Sequence, residues 1–468
     1  MKEKYKNLFK NLGLFTIGSF GSKIVSFLLL PLYTFVLSTA DYGTVDLLQS
    51  TAQLLTPILL LSIQDATLRF GMDPQYKKDD VLSTSINVII KGTVILLLGI
   101  CIIYSNWIFT IYLAYWIFFF FYFLFGALNN CFNLYLKSIN KASVIAIGGI
   151  LGTIITCISN ILCLIVFKLG INGYMISNVI GILFQVIYQI LSGRIYKNFH
   201  IKNYKNISKP MIKYSSPLIA NSVSWWVNNS IDRYIITWII GIAANGIYAV
   251  AYKIPSILTT FQNIFYNAWS ISAISEFNHE DNDGFIGKSY TLYSFTSILM
   301  CSLILLLNIP IASILYSSAY FEAWKCVPFL LVSTVFNGIA QFEGSLFAAV
   351  KKTKEVSLTT ILGAIVNVVC NFIFIYFFGI EGAAFATLLG YGLTWLLRTI
   401  FLTKFIKIKV NWKIHLTVII ILFIQSILTT LNVLYYIQVL LFIMIIFLNF
   451  RYINKLFSKL IKNISNKN

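Results

Sequence analysis

Three basic residues lie deep in apolar runs, and their types and spacing could hold an anion. Arg233 follows Asp232 in "WWVNNSIDRYIITWIIG" (225–241). Lys253 stands two residues before Pro255 in "YAVAYKIPSILTTFQNIFYNAW" (248–269), and Lys23 belongs to a polar stripe with Ser19, Ser22 and Ser26. Helical spacing places Asn221, Ser224, Asn228 and Asp232 on one face beside Arg233. Lys23 is about 18 Å into its run, too deep for easy snorkelling. A lone cation near the centre of a bilayer costs at least ~2.5 kcal/mol. Such a residue needs a partner, either a structural carboxylate or an anionic ligand that returns charge-assisted hydrogen bonds. Lys91, in "NVIIKGTVILL", is a fourth candidate for an anion-binding cavity. Two acidic groups complete the set: Asp232, as a structural partner of Arg233 or an ion-coupling group, and Glu343, in "GIAQFEGSLF", as a proton or sodium group. Asp46 reads as reaching water, and Asp65 with Arg69, four residues apart, reads as an intrahelical pair.

The elements that position these residues follow from composition. The 468 residues are 58% hydrophobic and 11% charged, whereas soluble domains carry roughly 25% charged residues. Apolar segments long enough for a ~30 Å core recur from end to end, about fourteen in all. The chain therefore reads as an all-α polytopic membrane protein. The formal charge of +19 is distributed by side. Alternate connections hold nearly all of the 35 Lys and Arg residues, and those of opposite parity hold only Lys168 and Lys325. The positive-inside rule then places both termini in the cytoplasm and explains the charge without a nucleic-acid partner. Pro255 permits a kink beside Lys253.

Internal similarity divides the chain. "ILGTIITCISN" (150–160) matches "ILGAIVNVVCN" (361–371); "GING" (170–173) matches "GIEG" (379–382); "ADYG" (40–43) matches "AANG" (243–246). The expected layout is a six-helix lobe at 1–195, a basic cytoplasmic linker at 196–210 and a second six-helix lobe at 211–405. Two further helices at 406–451 and a basic tail at 452–468 follow. Six spans per lobe give both lobes the same orientation, related by a twofold axis along the membrane normal. A single helix over His415–Phe450 would be about 54 Å long, so "TTLN" (429–432) is expected to turn between two spans.

Several chemistries are absent. No G-x-x-x-x-G-K-[ST] run or Rossmann glycine pattern occurs, so no nucleotide site is expected. The seven cysteines show no metal spacing and the three histidines are scattered over connections, so neither a metal nor a cofactor is expected, and no catalytic residue is assigned. Outward connections are too short for an external catalytic domain.

"NLGLFTIGSFGSKIVSFLLLPLYTFVLSTADYGTVDLLQS" (11–50) and "IDRYIITWIIGIAANGIYAVAYKI" (231–254) resemble the polysaccharide-biosynthesis flippases. These are the Wzx-type members of the multidrug/oligosaccharidyl-lipid/polysaccharide exporter superfamily. The resemblance covers about residues 8–405. It implies a MATE-like fold and a transporter, not an enzyme, that moves undecaprenyl-pyrophosphate-linked oligosaccharide to the outer leaflet by alternating access. It also implies that Lys23 and Lys253 face the cavity and hold the pyrophosphate. The polymer would be O-antigen, capsule or similar, with membrane lipids, a coupling H+ or Na+, and polymerase or assembly proteins as partners. An ion-coupled drug or cation antiporter of the same fold, and an integral-membrane polymerase or glycosyltransferase, stand as alternatives.

Overall fold

The computed structural model describes residues 27–105, 112–198, 205–275, 281–282, 284–350, 352–433 and 435–465. Lys23, His200 and His279 lie outside the described residues. Among the described residues every regular element is helical. We label the principal helices α1 (Leu30–Val36), α2 (Thr39–Leu59), α3 (Ile63–Gly71), α4 (Lys78–Ser105), α5 (Leu113–Ser138), α6 (Ala142–Asn160) and α7 (Gly170–Ser192). There follow α8 (Lys205–Ser215), α9 (Leu218–Ile239), α10 (Ile242–Ala251), α11 (Pro255–Ser275) and α12 (Phe285–Leu306). The last are α13 (Val327–Ala349), α14 (Thr353–Leu402), α15 (Trp412–Thr430) and α16 (Tyr435–Ser465).

Among the described residues, seven helices are long and apolar enough to cross a membrane, or up to nine if each bent pair forms one span. Two further apolar helices among the described residues are shorter, Ile242–Ala251 and Tyr435–Phe450. Helix α9 carries Asn228, Asn229, Asp232 and Arg233, and the α10–α11 segment breaks over Tyr252–Ile254, ahead of the expected Pro255 kink. The pair α2 and α3 is likewise bent, by 59°. There Leu61 and Ser62 take φ of 52° and 50°, and Ser62 N–H reaches back to the Pro57 carbonyl at 3.0 Å. The 50-residue α14 is two helices joined at Gly379, whose φ 60° and ψ −140° suit only glycine.

Packing divides the chain into two compact units. One runs to Thr237 and includes Gly241–Gly246; the other takes Trp238–Ile240 and the chain from Ile247. By repeat position α9 opens the second half, yet its residues to Thr237 pack with the first unit. In that first unit Leu60, Ile63, Val81, Phe123 and Cys131 form a core with the fully buried Met211 of α8. The linker thus ends in an amphipathic helix with Lys209 and Lys213 exposed, and the break at Ser216–Pro217 separates it from α9.

The repeated sequence has a repeated structural use. In the first unit a Cβ on Gly181 would fall 3.1 Å from the Gly152 carbonyl and into the Thr156 hydroxyl. In the second, a Cβ on Gly390 would fall 3.0 Å from the Gly363 carbonyl and 2.7 Å from the Asn367 Cβ. Each unit therefore contains one close glycine crossing, α6 on α7 or the first arm of α14 on its second. Gly170 and Gly379, which open the two crossings' second helices, both take positive φ. Small residues let helix backbones approach in lipid, where no hydrophobic effect draws them together.

The chain turns over Leu431–Asn432 between α15 and α16, at the expected "TTLN" site. Inside the second unit, the Ser302 hydroxyl of α12 donates to Gln425 Oε1 of α15 at 2.5 Å, and Gln425 Nε2 returns a bond to the Ser302 carbonyl at 3.1 Å. A buried Asp281 fixes the same region. Its carboxylate accepts N–H bonds from Ile286 (3.0 Å), Gly287 (2.9 Å) and Lys409 (3.4 Å), tying the start of α12 to the segment leading into α15. Asp281→Ala orphans those donors. Losing a side-chain cap costs about 1–2 kcal/mol, so the thermal unfolding midpoint of the purified protein should fall measurably while membrane insertion persists.

Candidate anion site and a buried acidic network

Arg233 extends from α9 to α2. Its Nη1 donates to Asp46 Oδ1 and to Ser50 Oγ, each at 2.9 Å. Asn245, at the start of α10, adds bonds to the Gly43 carbonyl (3.1 Å) and to Asp46 Oδ2 (3.4 Å). Trp226 Nε1 donates to the Ser50 carbonyl at 2.8 Å, and the Thr51 and Tyr234 hydroxyls meet at 2.6 Å. The four-residue spacing of Trp226, Ser230 and Tyr234 explains why these groups share one flank of α9. The two "G" turns of the repeat face one another here: a Cβ on Gly43 would run into the Ile242 carbonyl, and one on Gly246 into the Thr39 carbonyl. Nearby, the Tyr174 ring lies 4.8 Å from Tyr33 and 5.8 Å from Tyr42. The result is a polar seam with the Arg233 and Asp46 side chains 18% and 16% exposed.

Asp46 is a correction to the sequence reading: it does not simply reach water but forms the ion pair with Arg233. Asp232 is buried, and its Oδ1 accepts the backbone N–H of Arg233 at 3.0 Å. Arg69 pairs forward with Asp73 at 3.6 Å, not back with Asp65. Lys253 is exposed in the turn before Pro255, where its carbonyl accepts the Ser256 hydroxyl at 2.6 Å. Lys91 is exposed on α4 and makes no ion pair among the described residues. The geometry thus assembles Arg233 with Asp46, Ser50 and Asn245, leaving Lys91 outside that cluster.

The second unit holds a different polar centre. Glu343 of α13 is fully buried, and its Oε1 accepts hydroxyl bonds from Thr399 (2.8 Å) and Tyr290 (3.3 Å). The Tyr290 hydroxyl also meets His415 Nε2 and Trp395 Nε1, each at 3.4 Å. His415, expected on a connection, is instead buried in the first turn of α15. Beside this network Arg398 directs its guanidinium to the Ala340 carbonyl (2.6 Å) and to Thr359 (3.2 Å) and Thr360 (2.8 Å). The signal for Arg398 was the one that marked Arg233, a lone cation within the apolar run "LTWLLRTIFL". Tyr290 and His415 carried none, because only folding brings them to Glu343. A smaller amide cluster behaves as interhelical glue: Asn371 donates to Asn367 Oδ1 at 3.1 Å, and Asn367 to Thr387 Oγ1 at 3.4 Å.

Helices of this order, bent and paired in this way, define an all-α polytopic membrane protein of the MATE-like fold. A structure titled lipid II flippase MurJ, inward closed conformation, is similar with a TM-score of 0.68 and 16% identity, covering 96% of this chain and 99% of that one. An inward-facing multidrug resistance MATE family transporter is similar with a TM-score of 0.62 and 12% identity, over 83% and 94%. Residues 8–269 match the model of the polysaccharide biosynthesis protein family, and the chain belongs to that family. An uncharacterized membrane protein of Methanocaldococcus jannaschii is 23% identical over 46% of this chain and 52% of its own length. The probable low-salt glycan biosynthesis flippase Agl15 of Haloferax volcanii is 25% identical over 44% and 46%. The chain spans about half the length of these curated relatives.

Proposed function

We propose that the protein is a Wzx-type flippase that moves an undecaprenyl-pyrophosphate-linked oligosaccharide to the outer leaflet by alternating access, supplying a surface polysaccharide such as O-antigen or capsule. The observation that carries this reading is Arg233, a guanidinium within an apolar run that meets Asp46 and Ser50, each at 2.9 Å, in a mostly enclosed polar seam. A pyrophosphate can take over that carboxylate's place, since planar N–H forks bind phosphate and carboxylate alike. Lys23, Lys253 and Lys91 are on this reading further basic groups that the anionic head meets separately during transfer, with Asp232 positioning Arg233. The names of Agl15, a probable glycan flippase, and of MurJ, a lipid II flippase, support the same chemistry.

The protein would sit in a bacterial inner membrane with both termini cytoplasmic and its lobes at 1–195 and 211–405. A polysaccharide polymerase would receive the product. An anionic head moving outward travels down an inside-negative potential, worth about 2.3 kcal/mol per charge per 100 mV. The experiment is reconstitution into vesicles with a fluorescent polyprenyl-pyrophosphate oligosaccharide. Protein-dependent leaflet exchange is expected, abolished by Lys253→Ala and largely kept by Lys253→Arg, which keeps the charge. Exchange no faster than in empty vesicles, with uptake of a cationic dye instead, would mark a drug antiporter.

A further inference from the structure

We propose that Glu343, Tyr290 and His415 form a proton-binding site with a relay from a cleft beside α15. The inference goes beyond the flippase reading and rests on the geometry of the second unit alone. Glu343 Oε1 takes both hydroxyl bonds, while Oε2 is buried without a hydrogen-bond partner among the described residues. A carboxylate left half bare in an enclosed site is costly, and a bound proton removes the charge. The nearest cation does not remove it: Arg398 lies within electrostatic reach but forms no ion pair with Glu343, and its N–H groups go to neutral oxygens.

The groups facing Glu343 also select the ligand. From α12 comes the Tyr290 hydroxyl; from the second arm of α14 come Thr399, Trp395 and Arg398; from α15 comes His415 behind Tyr290. Tyr266 of α11 lies within reach of Arg398. These are O–H and N–H donors around a single carboxylate. Hard divalent cations take about six oxygen ligands, and among the described residues no group of three His, Cys, Asp or Glu side chains is placed to hold a metal ion. A proton fits this set: both hydroxyls are directed as donors to Oε1, and Oε2 is free to carry it.

The path follows from the contacts. His415 lines a cleft of about 20 Å³ together with Thr291, Asn411 and Asn449, room for about one water. A proton delivered from bulk solvent through that water, which is left as neutral water, binds one imidazole nitrogen and allows the other to release its proton to the Tyr290 oxygen. The Tyr290 proton passes in the same event to Glu343 Oε1. One proton moves from cleft to carboxylate, and His415 and Tyr290 end neutral. His415 must present an N–H toward Tyr290 for this step, which fixes its tautomer.

Infrared difference spectroscopy of the full-length protein in nanodiscs tests this without any transport assay. Wild type should show a protonated-carboxyl stretch that disappears on alkaline titration and is lost in Glu343→Gln. Glu343→Asp should keep a shifted band. Tyr290→Phe and His415→Gln should keep the band but slow its exchange in heavy water. A band unaffected by Glu343→Gln, no titrating band in the wild type, or exchange equally fast in both relay variants would overturn the proposal.

Discussion

Replacing Arg233 by Gln should cost about a hundredfold or more in glycan flipping, and neutralising its partner as well should not restore it. Hydrogen bonds to charged groups are worth about 1.5–3 kcal/mol, and 1.36 kcal/mol is a factor of ten in rate. Losing the upper value at the head-group step gives the stated effect. The double variant separates the two roles of Arg233. Arg233→Gln alone removes the cation that stands 2.9 Å from Asp46 and leaves the carboxylate without that ion pair. At 18% and 16% exposure the pair is only partly buried, so breaking it on one side should cost less than the ~3–5 kcal/mol of a fully buried pair, and removing both charges is milder still. Asp46→Asn with Arg233→Gln should therefore recover thermal stability without recovering flipping. Recovery of both would make Arg233 a structural partner only, and the pyrophosphate role would be lost.

What the sequence disclosed depended on how local the signal was. Arg233, Lys253 and Glu343 stood out because a charge in an apolar run is conspicuous in one dimension. The repeated glycines were legible for the same reason, and the structure gives them a shared task at the Gly152–Gly181 and Gly363–Gly390 crossings. Partners were not legible. Asp46 and Arg233 are separated by 187 positions, and Tyr290 and His415 by 125, so no helical period relates them. Local spacing even misdirected: Asp65 is four residues from Arg69, yet Asp73, four residues the other way, takes the ion pair. Composition also hid a break. Leu61 and Ser62 carry no glycine or proline mark, and their positive φ is set by the turn that Pro57 and Ser62 close.

Gly246→Val should hold the polar seam open and stop flipping, even though the residue carries no charge and needs no ligand. The added Cβ would enter the Thr39 carbonyl and come within 3.1 Å of the Gly43 amide nitrogen, backbone atoms that no rotamer change can move. Overpacking a tight contact costs about 1–3 kcal/mol. At this place the strain bears on the contacts that keep α2 and the α9–α10 segment together, including Asn245 with the Gly43 carbonyl and Arg233 with Ser50. Separation would break those bonds as a group. In a background lacking the seven native cysteines, a cysteine replacing Ser50 should be shielded from a membrane-impermeant thiol reagent. It should become reactive when Gly246→Val is added. Gly181→Val, at a crossing within the same unit but away from the seam, supplies the control: it should lower stability without exposing position 50. Normal flipping by Gly246→Val, or equal labelling in both glycine variants, would show that closure of this seam is not part of the transport cycle.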